Sequence, residues 1–182
     1  MTKKHYVNNK ELYEIMVSYI NEVREAEETD SPKPPVPNYV GKCLLQISNR
    51  LATKPNFSGY TYKEEMISDG IENCLQYIDN FNPDKSKNPF AYFTQIIYFA
   101  FIRRIQKEKK QTYIKHKAFE KSVIFNEMVV SQGGEHHSDP IQDSSFAQEF
   151  RGEFIQSYEK GLKEKREKTK QAKQDRENND EQ

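Results

Sequence analysis

Between Asn88 and Lys110 the chain reads NPFAYFTQIIYFAFIRRIQKEKK. Six of the twelve residues from Phe90 to Phe101 are aromatic, and a basic run follows at once. On a helix, Tyr92, Gln95, Phe99, Arg103 and Gln106 are related by steps of three and four, with Lys107 beside them. Rings, an amide and a guanidinium on one face suit stacking on unpaired bases and gripping phosphates, where each stacked base is worth ~1–3 kcal/mol. Lys85, Lys87, Arg103, Arg104, Lys107, Lys109 and Lys110 supply the electrostatic part. The competing reading packs Phe99 beneath another helix, such as the C-terminal one. The residues alone leave both open.

A second set precedes it. Glu65, Asp69, Glu72 and Gln76 share one helical face, with Asp79 at its margin. Such a face is either ordinary solvated surface or a docking ridge for a basic protein. Metal chemistry is a poor fit, because the acids form a spread row with no DxD or HxH cluster nearby. His136 and His137 sit in a glycine-containing stretch without a nucleophile partner. Neither an enzyme, a cofactor nor a metal is expected.

The charge balance, 28 basic against 28 acidic residues, conceals an asymmetry. From Lys63 to Asp84 one lysine stands against six acids; from Lys85 to Lys121 ten basic residues stand against two. Adjacent blocks of opposite sign suggest two partners or one partner with two faces. Cys43 and Cys74 lack motif spacing and read as buried, reduced thiols of an intracellular protein. The longest apolar run, Ile96 to Ile102, falls short of the ~20 residues a bilayer span needs, and no leader pattern opens the chain.

Helical periodicity then places the elements. Asn8 or Asn9 caps a first helix to Glu28, with Leu12, Ile15, Met16, Tyr19, Ile20 and Val23 on one side. The proline-rich stretch 29–38 reads as a stiff linker. A second helix covers Tyr39 to Ala52 with Val40, Cys43, Leu44, Ile47 and Leu51 inward, and KPNFSGYT reads as loop. A third helix fits Lys63 to Asn80, its buried stripe being Ile67, Gly70, Ile71, Cys74, Leu75, Ile78 and Phe81. A fourth runs from Pro89, suited to a first turn, to Lys110, with Phe93, Ile97, Ala100, Phe101 and Ile105 as core, Phe90 joining them and Tyr98 at the edge.

Thr112 to Val130 extends that helix or adds one; 126–145 reads largely as loop. Phe146, Phe150, Phe154, Tyr158 and Leu162 define a last amphipathic helix over 146–162. From Lys163 to Gln182 only Ala172 is apolar, so the tail is solvated helix or disorder. No strand pattern persists. The expectation is an all-α protein with a small helical bundle, an N-terminal helix (1–28) and a charged, partly disordered tail (163–182).

In their order, the acidic and aromatic–basic helices resemble conserved region 2 of bacterial RNA polymerase sigma factors, across EMISDGIENCLQYIDNFNPDKSKNPFAYFTQ. YVNNKEL, NFSGYT, EMISDGIE, KNPFAYFTQ and AFIRRIQKEKK are similar, piece by piece, to the late-transcription sigma factors of T-even-type bacteriophages. The resemblance implies a sigma region 2-like domain over 39–125, acting in the host bacterial cytoplasm. It implies docking of host core RNA polymerase, through its clamp coiled coil, on Glu65, Ser68 and Asp69, with Glu72 and Gln76 on the same face. It points Tyr92, Gln95, Ile96, Phe99 and Arg103 at an A·T-rich late promoter, with Lys85, Lys87 and Lys107 adding charge.

The chain departs from the pattern in places. Ser68 replaces a longer amide, and Gln95 and Ile96 stand where primary sigma factors carry a tryptophan pair that props the duplex open. Strand separation would then lean on Tyr92 and Phe99, or on a phage co-activator. The hydrophobic–acidic C-terminal motif that binds the sliding clamp in such phage factors is not evident in EKREKTKQAKQDRENNDEQ, so clamp engagement is absent or moved to FAQEFRGEFIQSYEKGL. The rival expectation is a helical adaptor that binds polymerase or another phage protein without reading DNA.

Overall fold

The computed structural model describes the backbone over 6–131 and 145–180, and side chains over 6–122 and 149–176. Among the described residues the chain is all-helical, with six α-helices and no strand. The helices are α1 (Asn9–Glu28), α2 (Asn38–Ala52), α3 (Pro55–Ser58), α4 (Lys63–Gln76), α5 (Pro89–Ser131) and α6 (Ser145–Asp180). The chain divides after Lys107 into two compact units.

In the first unit the apolar spacing fixes the core. α2 contacts both α1 and α4, burying Val40, Cys43, Leu44, Ile47 and Leu51 as its periodicity requires. α1 contributes Leu12, Met16, Tyr19, Ile20 and Val23, and α5 contributes Phe93, Ile97, Ala100, Phe101 and Ile105. Burying each large side chain stabilises by ~1.5–3 kcal/mol. Gly70 of α4 allows a close approach of α5: a Cβ there would lie 3.1 Å from both Ile97 and Phe101.

The Asn8–Asn9 pair serves two helices. The Asn8 side chain accepts from the Lys10 and Glu11 amides and caps α1. The Asn9 side chain instead accepts from the Phe90 amide, 3.1 Å away, at the first turn of α5. Asn88 accepts from Ala91, also at 3.1 Å, with Pro89 opening the helix. Two of the amides that a helix start leaves unpaired are thereby satisfied.

The 29–38 stretch, set apart by its prolines, is tied down. Lys33 pairs with Asp79, and the Tyr39 hydroxyl donates to Glu11 at 2.9 Å. α1 and this stretch therefore belong to the same unit as α2 and α4.

Four expectations change. KPNFSGYT contains α3, opened by Pro55, and its Phe57 is 2% exposed, meeting Phe101 edge-on at 5.2 Å. The third helix ends at Gln76 and continues only as a 3-10 turn over Ile78–Asn80. Its stripe runs Met66–Gly70–Cys74, and Leu75, 42% exposed, leaves it because it stands about 100° round the helix from Cys74. α5 runs unbroken to Ser131, so the first six residues of the loop expected over 126–145 are helical, and 132–144 lie outside the described residues. The charged tail takes the helical of its two expected forms, and it is continuous with the amphipathic segment rather than separate from it, as α6 to Asp180.

In the second unit α5 and α6 pair as an antiparallel hairpin. Tyr113 stacks on Tyr158 at 4.7 Å, His116 on Phe154 at 5.3 Å, and the Arg151 guanidinium lies 4.4 Å above the Phe119 ring. Partner numbers fall as those on α5 rise. The Tyr113 hydroxyl donates to Glu159 at 2.9 Å and, with Lys117, holds that carboxyl below its usual range. Ile155 is buried while Phe150 (59% exposed) and Leu162 are not, so the buried side of α6 is rotated from the four-apart stripe. The Phe146 side chain, His136 and His137 lie outside the described residues.

Candidate functional site

α4 presents Glu64, Glu65, Ser68, Glu72, Leu75 and Gln76 to solvent. The expected docking positions thus share an open face, and Leu75 adds an apolar side chain to it. Asp69 is the exception. Both of its carboxylate oxygens accept from Arg104 of α5, each at 2.6 Å. With the two side chains 26% and 18% exposed, this is a partly buried, two-pronged pair.

Asn73, one turn on, extends the network. Its amide donates to the Asp69 carbonyl at 2.7 Å, and its oxygen accepts from Arg103 at 2.6 Å. Two adjacent arginines of the basic run are therefore engaged by α4. Asp69 has a structural role that Glu65 and Glu72 do not share.

The rings of α5 divide differently from expectation. Tyr92 is half-buried: its ring lies 5.4 Å from Phe81 and 5.3 Å from Phe93. Its hydroxyl donates to the Tyr77 carbonyl at 2.8 Å, satisfying the residue that follows and caps α4. Burial, above all, raises its pKa. Tyr92 braces the α4–α5 junction rather than standing open beside Phe99.

Phe99 is 49% exposed and, among the described residues, its one ring contact is edge-on with Tyr98 at 5.6 Å, so it does not pack as core. Tyr98, also exposed, bridges it to buried Phe57. Gln95, Gln106 and Lys107 are exposed on the same side of α5, while Ile96 is half-buried against the core.

Lys85 and Lys87 are exposed on the loop before α5. That loop is shaped by Asn82, whose side chain accepts from the Asp84 amide at 2.9 Å and whose carbonyl accepts from Lys85 and Ser86. At ~1.5 Å per residue, the start of α5 at Pro89, next to the loop that carries Lys87, lies about 15 Å from Phe99 along the helix. A ligand touching both Lys87 and Phe99 must be extended.

The face available on α5 is thus Gln95, Phe99, Gln106 and Lys107, with Tyr98 alongside and Arg103 tethered to Asn73. It can stack one or two planar groups and attract an anion. Sequence spacing missed Asn73, Tyr98 and Leu75 as participants and read Arg104 as a phosphate-gripping cation, whereas it pairs with Asp69. The signal for Arg104 was its position, about 140° round the helix from Phe99 and so towards a neighbour, with Asp69 and Asn73 one turn apart to receive two cations.

Among the described residues no group of three or more His, Cys, Asp or Glu is placed to hold a metal ion. Nor is any described helix long and apolar enough to cross a membrane. No protein-family model matches the chain, and no curated protein matches it either.

Proposed function

We propose that the protein is a compact phage-encoded sigma factor that binds host core RNA polymerase through α4 and directs it to A·T-rich late promoters through α5. The observation that carries the reading is the pairing of two unlike exposed faces on consecutive helices. One is the acidic ridge of Glu65, Ser68, Glu72 and Gln76; the other is a face where Phe99 stands half in solvent beside Gln95 and Lys107. An exposed phenylalanine among polar and basic side chains gains little in a free monomer but stacks well on an unpaired base.

Within this reading Glu65 and Glu72 meet the polymerase, and Asp69 and Arg104 hold α4 and α5 in register. Phe99, with Tyr98, receives a base of the opened non-template strand. Lys107, Lys85 and Lys87 contact phosphates, and Tyr92 supports the helix that presents Phe99. The chain does no chemistry itself; the polymerase does.

The test is a pull-down with purified host core polymerase. Wild-type protein is expected to be retained, and Glu65→Lys with Glu72→Lys to be lost while its circular dichroism stays unchanged. Undetectable binding of the wild type sinks the proposal.

One observation favours the rival adaptor. Tyr92 and Arg103, both assigned to DNA by the resemblance, are committed to contacts with the end and middle of α4. An adaptor would bind core polymerase and be indifferent to Phe99→Ala in transcription.

A further inference from the structure

The second half of α6 has no part in that function. From Lys163 to Arg176 every side chain is exposed, and seven basic residues stand against three acids. At 100° per residue Lys163, Arg166, Lys170 and Lys173 fall within an arc of about 80° that holds no acid between them; by the same spacing Glu159 and Glu177 stand in that arc one turn beyond its two ends, and Glu164, Glu167 and Asp175 occupy the neighbouring arc.

Lys163 and Arg166, Arg166 and Lys170, and Lys170 and Lys173 are like-charge neighbours three or four apart, unfavourable in water, while Lys163 and Glu167, Glu164 and Lys168, and Glu167 and Lys170 are opposite-charge neighbours that offset them. Lys163 is near enough to Glu159 to lower the pKa of that carboxyl. Even so, none of the four forms an ion pair among the described residues.

We infer that this stripe is a sequence-independent binding surface for the phosphate backbone of duplex nucleic acid. It spans about 15 Å at ~1.5 Å per residue, longer than the ~12 Å width of a B-form major groove, so its flexible side chains reach phosphates on both walls. A coiled-coil partner is disfavoured, since only Ala172 is apolar and no a/d seam exists. A membrane is disfavoured for the same reason: nothing is available to insert below the headgroups.

The inference stands apart from polymerase binding, and its test omits polymerase and promoter. Full-length protein is titrated against a fluorescent duplex of arbitrary sequence at salt concentrations from about 50 to 200 mM. Four phosphate contacts contribute about −3.6 to the slope of log K against log salt, a loss of roughly 150-fold across that range. Lys163→Gln, Arg166→Gln, Lys170→Gln and Lys173→Gln together should flatten the slope by about 3.6, and Lys170→Gln alone by about 0.9.

Glutamine is as good a helix former as lysine, so far-ultraviolet dichroism should be preserved and the comparison isolates charge. Glu164→Gln, Glu167→Gln and Asp175→Asn together should leave the slope unchanged. A quadruple variant with wild-type slope and affinity overturns the assignment. So does equal or tighter binding of the wild type to phosphatidylserine vesicles, lost in the same variant, which would make the stripe a lipid surface.

Discussion

The Asp69–Arg104 pair should be one of the stronger single polar links between α4 and α5, and its strength can be bracketed. Fully exposed ion pairs contribute ~0–1 kcal/mol, and hydrogen bonds to charged groups ~1.5–3 kcal/mol. This pair makes two charge-assisted bonds at 2.6 Å with both side chains about three-quarters covered, which puts it near the middle, about 2 kcal/mol. The perturbation is Asp69→Asn, Arg104→Gln and the double variant, each unfolded in urea. Arg104 has further contacts, and a double-mutant cycle removes them from the answer. Asp69→Asn alone should lower stability by about 2 kcal/mol, whereas Glu65→Gln and Glu72→Gln, at exposed positions, should change it by less than about 0.5 kcal/mol. A coupling energy below about 0.5 kcal/mol would refute the claim that the pair holds the two helices in register. The consequence is practical: under the proposed function, loss of polymerase binding in an Asp69 variant reports on folding as well as docking, whereas Glu65 and Glu72 variants leave that ion pair intact.

Other perturbations read the fold at different points. Gly70→Leu forces four carbons into a gap where a Cβ already sits 3.1 Å from Ile97 and Phe101; urea denaturation should show a loss of about 3 kcal/mol or more. Asn9→Ala removes the cap that α1 lends to α5 and should cost about 1 kcal/mol with an unchanged urea m-value, although Asn9 lies 81 positions from its partner Phe90. Burial pushes the Cys74 thiol up to about 12 from 9.0. Below pH 9 it is neutral in both states; above, only the unfolded chain ionises, so stability present at neutral pH should drain away between about pH 9 and 12, by at most ~4 kcal/mol. Stopped-flow thiol titration should correspondingly find Cys74 unreactive until the chain unfolds.

The legible parts of this fold are those governed by helical period. The α2 stripe, the α1 face and the α5 core positions Phe93, Ile97, Ala100, Phe101 and Ile105 follow from apolar residues three and four apart. Period fails where elements are short or ends decide. α3 is one turn, too brief for any repeat, so Phe57 looked like loop. α4 stops at Gln76, and its axis places Met66 rather than Leu75 in the core.

Long-range polar geometry was invisible for another reason. Asn9 reaching Phe90, Tyr92 reaching the Tyr77 carbonyl and Arg104 reaching Asp69 depend on how helices cross, which no local pattern encodes. Tyr92 is the instructive case, since the spacing that grouped it with Phe99 is real. Its hydroxyl found a carbonyl at the end of α4, and its ring followed it inward.

The central claim concerns Phe99, and run-off transcription with host core polymerase tests it most directly. The comparison is wild type against Phe99→Ala on a late-promoter template, supplied either as duplex or with the start region already unpaired. The account predicts specific transcripts with the wild type, loss with Phe99→Ala on the duplex, and substantial recovery on the unpaired template, with core binding unchanged. Equal transcription by both proteins on duplex DNA, or none by the wild type on either template, would contradict it.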